Sequence, residues 1–492
     1  MTDHHGEARN VALIVLDTVR KDYFDEYAPR LRALSDSSFE NARAASSWSV
    51  PSHTSIFTGE LPSDHGVHSE SFDADFSFAG IDTDETFLAD LHEYRTVALS
   101  ANSYLTPPFG FDAWFDEYHD FSIGSHTAES LFNEALSVQE YMKKTDEPEA
   151  WKRYLGFLEE CLEHERPVKS FANGVWSQVG PKAKSWPVPE LVDDGAKRIS
   201  ELVVESGANR GRDPLFLFAN YMDAHTPLRN LVQHDTTMHD VPHSWSSREF
   251  NKWELNHDGK ATAEYARNYR DVYAASIDYL DRKVAAAIQK FRRETDGETS
   301  VVIISDHGHN LGYEADKKQF HHTASMTEGI LHTPLEIVNP PEGWPAAVTD
   351  HFSLADLGDL LVSLARGEPF SEDLLRETVV SETVGLLGAQ NATWGRDFSE
   401  EEYAFWNRMM RVAYDGETKY QWNSLGETYE YRLDSDRPSW QEEVARDVPI
   451  PAAALEPFAV ELDTYKREAA ADDQEMDFDE GVQEQLKELG YL

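Results

Sequence analysis

Asp17, Asn102, Asp223, His225, Asp306 and His307 each sit just after a short apolar run of this chain. Carboxylate oxygen and imidazole nitrogen are the donors that hold Mg, Ca, Mn or Zn. Asp17, Asp306 and His307 therefore make a plausible divalent-cation set. By itself Asp17 reads as a turn cap, and Asp306-His307-Gly308 as a tight loop. The run Ser-Asp-His-Gly directly behind an apolar strand favours the metal ligands.

The segment Ser46–Gly59, SSWSVPSHTSIFTG, is a second concentration of reactive groups. Pro51 suits the first turn of a helix, and Ser49 and Ser52 occupy N-cap positions. A hydroxyl at a helix N-terminus lies beside backbone N–H groups and the positive end of the dipole, a seat for an anionic ester. Capping alone explains most Ser-x-Pro-Ser runs; Ser49 becomes a nucleophile only if the fold brings it to Asp17 and Asp306. His321 and His322 follow the Asp306 loop and read either as ligands or acids, or as plain loop histidines.

These groups need a scaffold. Asn10–Leu16 is continuous, apolar and rich in β-branched residues, the mark of a buried parallel strand. Similar runs recur at Thr96–Ser100, Leu215–Asn220, Ser300–Ile304 and Leu335–Val338, with amphipathic stretches at Thr86–Tyr94, Ala263–Arg293 and Ser353–Arg366 between them. The alternation predicts an α/β fold: a mostly parallel central sheet flanked by helices. Ligands of such sheets bind beyond the carboxyl ends of the strands, where the residues above lie.

Residues 122–200 read as helices and loops without a clear strand, an insertion over the sheet within a catalytic domain spanning 1–368. A smaller C-terminal α+β domain is expected over 369–492, with strands at Met410–Tyr414, Lys419–Trp422 and Tyr429–Leu433. Glu468–Asp479 reads as an acidic linker and Val482–Leu489 as a closing helix.

The 492 residues carry 90 Asp+Glu against 44 Lys+Arg, a formal charge of −46. Such a chain repels nucleic-acid backbones and anionic membranes. The acid excess is spread along the whole length, which suits a halophilic protein in high salt; an ordinary acidic cytosolic protein is the plainer alternative. Cys161 is the single cysteine, so no intrachain disulfide forms. The first residues, MTDHHGEARN, carry no basic start or apolar run, and no apolar stretch reaches eighteen residues, so a cytoplasmic protein is expected.

In this order the motifs resemble the type I sulfatase family of the alkaline phosphatase superfamily. NVALIVLDTVRKDYF resembles its opening strand and metal Asp, and SVPSHTSIFTG its Cys/Ser-x-Pro-Ser-Arg signature. GFDAWFDEY, NYMDAHTPL, SDHGHNLGYE, KYQWNSLGETYEYRLDSD and LKELGYL follow as further landmarks. The resemblance implies one divalent cation held by Asp17, Asp306 and His307, with Ser49 as nucleophile and fourth ligand. It implies that His225 and His322 hold the ester oxygens and protonate the leaving group, while His53, Asn102 and His321 line the substrate pocket.

Three departures bear on chemistry. Thr18 replaces a second metal Asp, His307 stands where many sulfatases have Asn, and His53 replaces the signature Arg that supports maturation of the nucleophile. A formylglycine at Ser49 would release covalent sulfate by collapse of a hemiacetal. A plain serine lacks that exit and suits a phosphorus ester better. The expectation is a sulfatase acting on a sulfated saccharide or similar ester. The alternatives are a phosphodiesterase or phosphonate monoester hydrolase with unmodified Ser49, a phosphoglycerol-type transferase, or a non-catalytic glycan-binding member of the family.

Overall fold

The computed structural model describes residues 8–71, 76–122, 132, 135–145, 149–183, 190–208, 213–322, 325–385 and 398–469. Its core is one eight-stranded sheet. In chain order its strands are β1 (Asn10–Leu16), β2 (Ser37–Arg43), β3 (Arg95–Ser100), β4 (Glu117–Asp120), β5 (Leu215–Tyr221) and β6 (Thr299–Ile304). After a small two-stranded ribbon, β7 (Asn310–Leu311) with β8 (Phe320–His321), come β9 (Leu335–Val338) and β10 (Ala347–Ser353). The spatial order is β10-β2-β9-β6-β1-β5-β3-β4.

β1, β5 and β6 are buried along their whole lengths, which explains their continuous apolar runs. β1 pairs parallel with both β5 and β6, and β5 with β3. The sheet is mixed: β9, expected among the parallel strands, runs antiparallel to both β6 and β2. Its connection from β6, residues 305–334, carries the β7–β8 ribbon and the four-residue helix Glu328–Leu331 but no long crossover helix of the kind a parallel neighbour needs.

Two cores cover the faces. One gathers Phe39, Phe57, Phe111 and the helix Leu357–Ala365; the other gathers the helices Ala196–Ala208 and Ala263–Glu294. Thr86–Tyr94, expected as an amphipathic helix, is only the 3₁₀ segment Phe87–Leu91, capped by Thr86. One tight wrap suffices to bury Phe87, Leu88 and Leu91. Ala196–Ala208, which begins inside the stretch expected as an insertion, packs on Ala263–Glu294, β3 and β5. Cys161 and Phe157, on the helix Ala150–Glu163, are buried together with Leu136.

A separate five-stranded antiparallel sheet follows: β11 (Val380–Thr383), β12 (Met410–Asp415), β13 (Thr418–Asn423), β14 (Thr428–Leu433) and β15 (Gln441–Arg446), in that order. It is tied to the large sheet by a buried ionic network. Glu328 meets Arg43 at 3.0 Å and Lys419 at 3.0 Å, and accepts from Tyr414 at 2.8 Å. The acidic linker, past residue 469, and the closing helix lie outside the described residues. Among those described, no helix is long and apolar enough to cross a membrane.

Candidate active site

Asp17 follows β1 and is fully buried; its amide donates to the Tyr221 carbonyl at 3.0 Å. Thr18, at φ +63°, turns the chain sharply, with its carbonyl held by Tyr273 at 2.6 Å. Arg20 locks the exit of this turn through Asp316 (3.0 Å), Asp22 (2.8 Å) and the His309 carbonyl (3.1 Å). On β6's side, Ser305 Oγ accepts from the Val19 amide and donates to the His307 carbonyl. The Asp306-His307-Gly308 loop is pressed against the next turn so tightly that a Cβ on Gly308 would lie 2.2 Å from the Gly329 carbonyl.

The ligand atoms of Asp17, Asp306 and His307 all lie within 4.8 Å of one another, and all three residues are buried. Asp17 Oδ1 and both carboxylate oxygens of Asp306 have no hydrogen-bond partner. Burial raises both carboxyl pKa values, and for Asp17 the neighbouring Asp306 adds to the rise. Two adjacent buried carboxylates with unsatisfied oxygens are costly without a compensating positive charge. Hard oxygen donors with one imidazole fit a divalent cation. His307 Nδ1 donates to the Gly308 carbonyl at 2.9 Å, which leaves the Nε2 lone pair as the ligand. Burial lowers its pKa to about 4, keeping the ring neutral.

Ser49 opens the helix Ser49–Thr58. The N-cap position falls to Trp48 and not to Ser49 or Ser52, both of which lie inside the helix, and no side chain caps it. The Ser49 hydroxyl instead lies 3.3 Å from Asp17 Oδ2 and 3.4 Å from His307 Nε2, and accepts from Asn102 Nδ2 at 3.0 Å. Ser52 Oγ donates to the Asp306 carbonyl at 2.6 Å, pinning the helix to the loop. His53 Nδ1 donates to the Ser49 carbonyl at 2.8 Å and lies 3.5 Å from Asp306 Oδ2. Its ring is fully buried beside Phe218 and Phe111, on the core side of the helix.

Asn102 also donates to Asp17 Oδ2 at 2.8 Å. His225 Nδ1 donates to the Thr226 carbonyl at 2.5 Å, so in the neutral ring Nε2 accepts; it faces His322 Nε2 at 3.3 Å. The His322 and His307 rings are 4.5 Å apart. Burial and these neighbouring histidines hold His322 well below the ordinary imidazole range. His321, at φ +62°, turns toward Thr226 Oγ1 (3.3 Å). Asp223 is turned elsewhere, accepting from the Asp194 amide at 3.1 Å beside Asp193.

The structure adds two residues that the sequence reading passed over. Asn220, the penultimate residue of β5, reaches Asp17 Oδ2 at 3.5 Å. His309 lies 5.9 Å, ring to ring, from His322 and is paired with the Tyr269 hydroxyl at 2.7 Å. Asn220 carried a signal, as a polar residue ending an otherwise apolar buried strand; His309 carried none beyond its place two residues after His307.

The mixed eight-stranded sheet between helices, joined to a five-stranded antiparallel sheet, defines an alkaline phosphatase-like fold. The family model described as Sulfatase matches residues 9–367, and the chain belongs to that family of ester hydrolases. No curated protein matches it at significant sequence similarity. Among solved structures, a 2-O GAG sulfatase superposes with TM-score 0.58 at 14% identity, covering 97% of this chain and 96% of that one. The phosphonate monoester hydrolase of Silicibacter pomeroyi gives 0.54 at 16%, covering 86% and 89%. A protein in complex with its substrate D-glucosamine-2-N,6-O-disulfate gives 0.53 at 14%, covering 87% and 92%. At these identities the likeness is one of fold.

Proposed function

We propose that this chain is a divalent-cation-dependent sulfuric ester hydrolase that acts on a sulfated saccharide, with Ser49 supplying the nucleophilic oxygen. The observation that carries the reading is the Ser49 hydroxyl, within 3.4 Å of both Asp17 and His307 and accepting from Asn102. Asp17, Asp306 and His307 would hold the cation, with Ser49 beside it. When bound there, a divalent cation supplies a Lewis acid that favours the deprotonated nucleophile and offsets charge on the transferred group.

The remaining steps fall to the protein. Asn102 fixes the Ser49 oxygen, and the first turn of the helix Ser49–Thr58 offers its dipole to the anionic ester. His322 Nε2 donates to His225 Nε2 in the neutral pair; once the anionic ester is bound and the pair has taken up a proton from solvent, one of the two, as imidazolium, returns it to the departing alkoxide. His53 acts through Ser49 and Asp306 as a positioning residue. Residues 1–368 form the catalytic unit in this reading, supported by the family match ending at residue 367; 369–492 form the smaller domain, and the insertion shapes the pocket.

A second reading, a phosphodiesterase or phosphonate monoester hydrolase, is favoured by His53. With Nδ1 committed to the Ser49 carbonyl, it offers no basic arm for maturing the nucleophile, and a plain serine suits phosphorus. The test is hydrolysis of aryl sulfate, aryl phosphodiester and aryl phosphonate esters sharing one leaving group, in molar KCl with Mg, Ca, Mn or Zn. Sulfate turnover lost in Ser49→Ala supports the sulfatase; turnover of only the phosphorus esters replaces it with the second reading.

A further inference from the structure

Away from the Ser49 site, the smaller domain contains a groove of about 630 Å³ lined by Tyr403, Asn407, Arg408, Ser424, Lys466 and Arg467 among others. In a chain with about twice as many acids as bases, its lining carries three cations against one carboxylate, Asp463. Arg408 is the unusual member. It is only 8% exposed, and its guanidinium lies 4.0 Å over the Phe405 ring. Nη1 donates to the Phe405 carbonyl, while the buried Nε has no acceptor.

Arg467 bonds the Asp463 carbonyl (3.1 Å) and Thr464 Oγ1 (3.3 Å), neither of them charged. Lys466 pairs with Glu70. A buried guanidinium with an unpartnered Nε edge is expensive, and Glu427 offsets only part of that cost without bonding it. The edge matches the paired oxygens of a tetrahedral anion.

We propose that this groove is a second binding site, for the tetrahedral oxyanion of a sulfate or phosphate group, held by Arg408 and Arg467 with Lys466 alongside. It shares no lining residue with the Ser49 site, and the proposal does not rest on the reaction assigned there. Burial lowers the Arg408 pKa to about 10 against the opposing pull of Glu427, and the group stays charged at neutral pH.

The full-length protein is titrated calorimetrically with inorganic sulfate and with a disulfated disaccharide, in wild type, Ser49→Ala, Arg408→Gln and Arg467→Gln. One saturable binding event is expected to persist in Ser49→Ala and to weaken at least tenfold in either arginine variant, with aryl ester hydrolysis by those variants unchanged. Equal affinity for free sulfate and disaccharide assigns a free-anion site; binding of the disaccharide alone assigns a distal ester group on a larger ligand. The proposal is overturned if wild type shows no such event, or if both arginine variants bind as wild type does. Should Arg408→Gln fail to fold, the exposed Arg467→Gln carries the test. Failure of the Ser49 chemistry would leave this binding intact, so the two readings fail separately.

Discussion

The Ser49 hydroxyl lies 3.3 Å from Asp17 Oδ2, the same carboxylate oxygen that accepts from Asn102 at 2.8 Å. A candidate nucleophile, a candidate metal ligand and a neighbouring amide thus meet at one atom, from two strand ends and the start of a helix. Removing any of the three alters the other two.

Asp306→Asn separates binding from folding. Neither carboxylate oxygen of Asp306 has a hydrogen-bond partner, and Asp17 is its close, buried neighbour. The variant is expected to lose stoichiometric metal and at least 100-fold in activity. Its Tm in chelator should rise, on the order of 2 °C, because one of two buried like charges is gone. Metal analysis and calorimetry with and without chelator check both signs; a lower Tm in chelator contradicts this account.

His53→Ala tests positioning. It removes the hydrogen bond to the Ser49 carbonyl and leaves a cavity beside Phe218 and Phe111. The expected cost is about 2–3 kcal/mol of stability and at least tenfold in kcat, with KM nearly unchanged. His53→Gln, which keeps a donor, should recover part of kcat. A matching rise in KM would instead mean that His53 touches substrate.

Glu328 links the two sheets to pH. Burial alone would raise its pKa, but Arg43 and then Lys419 outweigh that and hold it at about 2. A depressed folded value stabilises the protein above the unfolded pKa, 4.5, and that contribution is lost as pH falls from 4.5 through about 2. Glu328→Gln should lose about 3 kcal/mol at pH 7 and flatten this part of the acid limb. Denaturant midpoints from pH 7 down to 3, wild type minus variant, measure it.

Salt should stabilise the chain. With a formal charge of −46, self-repulsion is screened only when the Debye length falls to about 3 Å near 1 M. Tm is expected to climb steadily between 0.2 and 2 M KCl, as a salt-adapted protein requires. A flat or falling Tm would return the composition to ordinary cytosolic acidity.

Much of this was legible in the chain itself. β1, β3, β5 and β6 announced themselves because strands buried on both faces need unbroken apolar runs. The residues just after them, Asp17, Asn102, Asp306 and His307, stood out because polar groups at strand ends have no core to join. The C-terminal strands were visible for a different reason, as short pieces alternating where one face is buried.

Other features were set by pairing across the fold. The direction of β9 depends on the path of the long connection after β6, and its four residues read alike in either sense. Whether Ser49 caps a helix or faces Asp17 depends on where that helix docks, and the docking is made by Ser52 against a loop 254 residues away. His309, Asn220 and the Arg408 groove likewise arise from contacts between distant segments, which leave no periodic trace in the chain. Local order follows from side chains that each segment must bury by itself. The site follows from which segments bury one another, and that is decided only when the sheet closes.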